Sequence, residues 1–137
     1  VTERRIKFEI SARLPSYHEL TGGRNWKIRT AIKREFMTTF FYGIKEGIQS
    51  ASFRAPRNPA YFQSRVLVHL KIFGRWRGPP DRDNYIQSAG KLIVDQLFDT
   101  RTRRAAVRLL LDDRFVEWGT VEFEQGDPKV EVILQEI

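Results

Sequence analysis

Cysteine is absent from this 137-residue chain, which excludes a disulfide scaffold and any thiolate metal site and fits a reducing compartment. Its two histidines, His18 and His69, are too far apart in sequence for a local zinc motif. No apolar run approaches the roughly 20 residues of a membrane span, and no signal-peptide pattern is visible, so a soluble cytoplasmic protein is expected. The chain opens on Val1, which allows for an initiator Met or a short leader upstream. Internal repeats and low-complexity tracts are missing. So are a Gly-rich phosphate cradle followed by Lys-Ser/Thr and the spaced dinucleotide fingerprint, which argues against a nucleotide cofactor. Nor is there a nucleophile elbow around a serine. Among catalytic options, these absences leave carboxylate-bound metal.

What is present is a foldable, strongly basic chain. Hydrophobic residues make up 41%, with three Trp, ten Phe and four Tyr, which argues for one globular domain over residues 1–137 rather than a disordered basic tail. The net charge of +7 is unevenly placed: the segment from Glu117 onward carries −5, so residues 1–116 carry +12. A surface of that sign attracts polyanions, of which nucleic acid is the commonest in a cell; solubility charge is the plainer reading.

The apolar pattern predicts the elements. Ile6, Phe8 and Ile10 alternate with charged residues as in a half-buried strand. "LPSYHELTGGRN" reads as a loop. Ile28, Ile32, Phe36, Phe40, Ile44 and Ile48 recur every four positions and predict one long amphipathic helix from Trp26 to about Gln49. Lys27, Arg29, Lys33 and Arg34 crowd its start, where cations oppose the helix dipole, and contact with a phosphate backbone would account for them. "SFRAPRNPAYF" is a connector, and Val66, Val68, Leu70 and Ile72 mark a second strand, with His69 packed or solvated on its other face. A helix from about Asp83 to Phe98 follows, weakened at Gly90 for what should be a packing reason. The last two strands, joined at "QGDP", read as a hairpin. The sum is α+β: one mixed sheet with two main helices in the order β-α-β-α-β-β.

Asp81 and Asp83, in "RWRGPPDRDNYIQSAGK", pose the chemical question. In an extended segment residues i and i+2 point to one side, so both carboxylates could close on a hard cation such as Mg²⁺. Asp and Asn in this position also begin an ordinary helix as cap and first-turn charge, and taken alone the stretch fits that better. An EF-hand loop starting at Asp81 fails, because it would need Gly where Ile86 stands. Asp112 and Asp113, after an apolar "LLL", could supply a third ligand or simply form a turn. A Mg²⁺ held by three Asp among cations is what phosphodiester hydrolysis requires.

Taken together, "DRDN", then Lys91 with Asp95 and Leu97 in "KLIVDQL", then "LLLDDRFV" leading into the C-terminal strands resemble the RusA-type Holliday-junction resolvases of bacteria and their phages. The likeness covers about residues 79–136 by motif. It implies a homodimeric, Mg²⁺-dependent endonuclease, with Mn²⁺ as a substitute, that nicks branched DNA symmetrically at four-way junctions. It implies that Asp81, Asp83 and Asp113 bind the metal and that a catalytic lysine follows on the helix; Asp112, beside Asp113, is read here as a helper. The family lysine falls six positions after the first Asp, where this chain has Gln87; Lys91 comes ten after, and its neighbours match. One turn along a helix is about 5.4 Å, a gap a Lys side chain largely spans. Arg75, Arg77, Arg101, Arg103, Arg104 and Arg108 are the expected DNA-backbone contacts, and Trp76 either stacks on a base or belongs to the core. The competing expectation is a non-catalytic DNA- or RNA-binding module in which the Asp residues are caps and salt-bridge partners.

Overall fold

The computed structural model describes residues 4–21, 25–51, 60–78 and 80–137. Most of the expected connector "SFRAPRNPAYF" lies outside the described residues, as do Gly22, Gly23 and Pro79. In chain order the elements are β1 (Arg5–Ile10), α1 (Tyr17–Thr21), α2 (Trp26–Ser50), β2 (Val66–Gly74), a composite helix α3 (83–94), β3 (Val116–Gln125) and β4 (Lys129–Glu136). The protein is α+β, with one four-stranded mixed sheet in the order β1-β4-β2-β3.

Strand composition explains that order. β2 and β4 are the most apolar strands and take the centre, where Val66, Val68, Leu70, Ile72, Val130, Val132 and Leu134 are fully covered. β1 and β3 carry charges at alternate positions and form the edges, where exposed charge also discourages pairing with other chains. The expected C-terminal hairpin is corrected here. β3 and β4 are both strands, yet they do not pair: β2 lies between them, parallel to β3 and antiparallel to β4. The connection through "QGDP" arches over the end of β2, and Gly126 N–H donates to the Gly74 carbonyl at 3.1 Å. The local cue of two strands flanking a turn could not reveal that a more apolar strand would insert.

Helices cover one face of the sheet. α2 is capped by Asn25, whose side chain accepts the Ile28 N–H at 3.0 Å. It lies so close to β1 that a Cβ on Gly47 would come within 2.0 Å of the Glu9 carbonyl oxygen. Phe40, Ile44 and Ile48 are buried as the stripe predicted, whereas Ile28 and Trp26, at the other end, are exposed. The expected loop before α2 contains a short helix, α1. Its start is a reciprocal cap: Ser16 Oγ accepts the Glu19 N–H and Glu19 Oε1 accepts the Ser16 N–H, and Glu19 is also paired with Arg13.

α3 is built of three segments, Asp83–Tyr85, a π-helical turn Ile86–Gly90 and Lys91–Val94. It ends four residues before the expected Phe98. The Gln96 carbonyl accepts from Ala106 and Val107, and the Leu97 carbonyl accepts from Leu109 and Leu110, so a returning segment takes the place of further helical turns. Gly90 has the packing reason anticipated for it: a Cβ there would meet the Trp118 ring at 2.9 Å. Trp76 belongs to the core edge, meeting Tyr85 and Phe123 edge-on and donating from Nε1 to the Glu124 carbonyl at 2.8 Å.

Candidate active site

A bulge in β3 fixes where α3 begins. Val68 pairs with Trp118 and Leu70 with Val121, so Gly119 and Thr120 together oppose His69. The His69 ring covers Gly119 so closely that a Cβ would come within 2.4 Å of it. Thr120 N–H donates to His69 Nδ1 at 3.0 Å, which leaves the proton on Nε2, directed to Gln135 Oε1 at 3.3 Å. His69 is thus a fastening within the sheet. The bulge turns the Gly119 carbonyl outward to accept from Arg82 Nη2 at 2.8 Å, and this bond ties the "DRDN" segment to the edge strand.

From that anchor α3 runs back along β3. Gln87 and Lys91 both reach a cavity of about 460 Å³ that Asp113 also lines, with Ile86, Val94, Val116 and Trp118 as apolar walls. Residues 22 positions apart in sequence, Lys91 and Asp113, therefore share one site. Gln87 lies within the π turn and Lys91 directly after it, and both side chains reach the same space.

The two members of the second acid pair differ. Asp112 caps the short 3-10 turn Asp113–Phe115, accepting the Arg114 N–H, and holds the Arg114 guanidinium at 2.8 Å. That hydrogen bonding keeps its carboxyl below the ordinary value. The Asp113 carboxylate makes no hydrogen bond or ion pair among the described residues and is exposed at the cavity.

Asp81 and Asp83 stand at the other end of α3. Asp81 Oδ1 accepts the Asp83 N–H at 3.0 Å, the geometry of a helix start, and both side chains are exposed. Asp83 precedes Lys91 by eight residues, which is about 12 Å along a helix axis. Among the described residues no three acidic or histidine side chains form a metal-binding group as they stand. The donor chemistry suits Mg²⁺ all the same: each is a hard carboxylate, and among the described residues no group engages the carboxylate oxygens of Asp83 or Asp113.

No family model matches the chain, and neither the curated proteins nor the solved structures hold a match to it. The functional reading rests on the residues themselves.

The arginines divide into two groups. Arg103 Nη2 donates to the Asp95 carbonyl at 2.9 Å and lies 3.8 Å from its carboxylate, while Arg108 lies 3.3 Å from Asp99. Both brace the segment after α3. Arg75 forms an exposed pair with Asp127 at 3.0 Å. Arg77, Arg101 and Arg104 are exposed and form no ion pair among the described residues. Asp95, absent from the expected site, is half-buried beside it. Burial raises its carboxyl above the ordinary value, Arg103 and Lys91 draw it down, Asp113 raises it, and Lys33 lowers it again. Its spacing four residues after Lys91 was the signal available in the sequence.

Proposed function

We propose that this protein is a metal-dependent, structure-selective DNA endonuclease that resolves four-way junctions by paired phosphodiester hydrolysis, serving recombination and repair. The observation that carries the reading is the convergence of Lys91 and Asp113 on one cavity. Lys91 brings three ammonium donors to a phosphate oxygen or to the leaving oxygen. Asp113 orients the attacking water by accepting its hydrogen bond. Gln87, at the position of the family lysine, adds a neutral amide to the same phosphate. Asp81, Asp83 and Asp113 would hold Mg²⁺, which supplies Lewis-acid polarisation of the phosphate when bound. Arg77, Arg101 and Arg104 grip the backbone around the cut, and the open face of the sheet, where the β3 and β4 carboxylates meet cations, turns away from it. Two nicks related by a two-fold axis suit a homodimer.

A second reading is favoured by one observation: Asp81 accepts the Asp83 N–H in the turn that opens α3, Asp112 caps the 3-10 turn, and among the described residues no three carboxylates stand together. Under it the protein is a DNA- or RNA-binding module without catalysis. End-labelled four-way junction and matching linear duplex, incubated with Mg²⁺ or EDTA beside Asp83→Asn, separate the two. Symmetric nicks on the junction alone, dependent on metal and lost in the variant, are expected. Tight junction binding with no cut, indifferent to metal and to the substitution, would replace the endonuclease with the binding module.

A further inference from the structure

We propose that the groove between α2 and the 96–104 segment binds an unpaired nucleotide, with Tyr42 as the platform for its base and Arg34 and Arg104 as partners of its phosphates. The groove measures about 420 Å³, and Arg34, Phe41, Tyr42, Gln96, Arg103 and Arg104 line it with no acid among them. Arg34, Thr38 and Tyr42 follow one another at intervals of four along α2, so cation, hydroxyl and ring form one row on the same helix face. Tyr42 is 61% exposed, and the Phe41 ring meets it edge-on at 5.3 Å, which steadies the ring while leaving a face open. An exposed aromatic face among arginines is what base stacking and backbone neutralisation together require.

Gln96 supplies an independent sign. Its side chain is only 2% exposed and lines the groove, yet Oε1 has no hydrogen-bond partner. An unsatisfied buried acceptor costs free energy that an N–H from a base edge would recover.

The groove also continues from the candidate active site. Gln87 and Lys91 line a second cavity of about 240 Å³, which Lys33 and Asp95 share. Arg103, joined to Asp95, leads from there into the Tyr42 groove. Lys91, Lys33, Arg34 and Tyr42 thus mark a track along the seam of α2 and α3. A strand with a phosphate at Lys91 would pass Lys33 and present a base at Tyr42. A paired base in duplex hides its faces, so the ring selects an unpaired one.

The inference rests on the nucleic-acid part of the proposed function and needs no catalysis, so it is tested in EDTA. Anisotropy of labelled single-stranded oligo-dT, the matching duplex and a four-way junction would be measured across a salt series. Tyr42→Ala is expected to weaken single-strand binding about ten-fold while leaving duplex binding and the salt slope unchanged, and Tyr42→Phe to restore it. Arg104→Ala should reduce the salt slope by about one. Tyr42 is exposed, so the substitution leaves the core intact, and circular dichroism checks this. Equal effects of Tyr42→Ala on single strand and duplex, or no effect on either, would overturn the stacking site while the nucleic-acid reading stands. If the unaltered protein bound none of the three DNAs, both would fall together.

Discussion

The two faces of the molecule treat charge differently. On the open face of the sheet, cations meet carboxylates: Lys7 with Glu131 at 3.7 Å, Lys129 with Glu9 and Lys71 with Glu124 at 3.5 Å, and Arg65 with Glu117 at 2.7 Å. Lys71 and Lys129 lie over the Phe73 ring as well. On the helical side Arg13, Arg103, Arg108 and Arg114 are paired as well, but Lys33, Arg34, Lys91 and Arg104 line cavities and form no ion pair among the described residues. Exposed pairs add little stability, so the first pattern chiefly cancels field and keeps that face neutral. The second leaves field to act on something else. Net charge alone could not separate these patterns; pairing does.

The largest expected effect breaks the comparison at its sharpest point, the neighbours Asp112 and Asp113. Asp113→Asn should reduce junction cleavage by about 10²–10³ if its charge serves the reacting phosphate. Asp112→Asn removes a bond to Arg114 and should leave most cleavage intact. Single-turnover rates on a labelled junction compare them directly. Equal losses would mean that the turn, rather than the Asp113 carboxylate, is what matters.

Gly47→Ala addresses the scaffold on which both faces depend. The obstructing atom is a backbone carbonyl in an edge strand, so α2 must move off β1 to admit a methyl group. Overpacking of that kind costs about 1–3 kcal/mol, and urea denaturation should register it as a lower midpoint. Unchanged stability would show that the helix seats more loosely than the contact implies.

These particulars also show what was legible in the sequence. Period-two and period-four patterns gave β1, α2, β2 and the α+β class because burial on one face is a local signal. Pairing partners are not local, which is why β2 entered what looked like a hairpin. The Ser16 and Glu19 cap of α1 was legible in "SYHE" and was hidden by the nearby glycines. For the site, acid and lysine types were readable, but not which acid of 112 and 113 would be tied up, since that depends on the Arg114 rotamer. The β3 bulge, which orients Arg82, left only Gly119 as a trace.

A smaller effect sharpens the contrast between the faces. If Lys33 and Arg34 contact phosphate, replacing either with Ala should lower the slope of log affinity against log salt by about 0.9. Replacing Lys7 or Lys129 should leave that slope where it was, because their charge is already met by Glu131 and Glu9. A slope that fell equally on both faces would mean that the whole surface acts as a diffuse field.

The smallest effect concerns Asp95, a half-buried carboxylate on the helical side that Arg103 approaches to 3.8 Å. Burial raises its carboxyl above the ordinary value of 3.8, against the pull of Arg103, Lys91 and Lys33 and with the help of Asp113. Between that value and the raised one, the folded chain binds more protons at this site than the unfolded chain does. The stability this group contributes is therefore full below the ordinary value and is lost as pH rises through the folded one. Asp95→Asn removes the dependence, so the melting temperature of the unaltered protein relative to the variant should fall as pH is raised from about 3 to 7. A difference that instead grew with pH would mean that Arg103 outweighs burial, and that the helical side, like the sheet face, neutralises its own charge at this position.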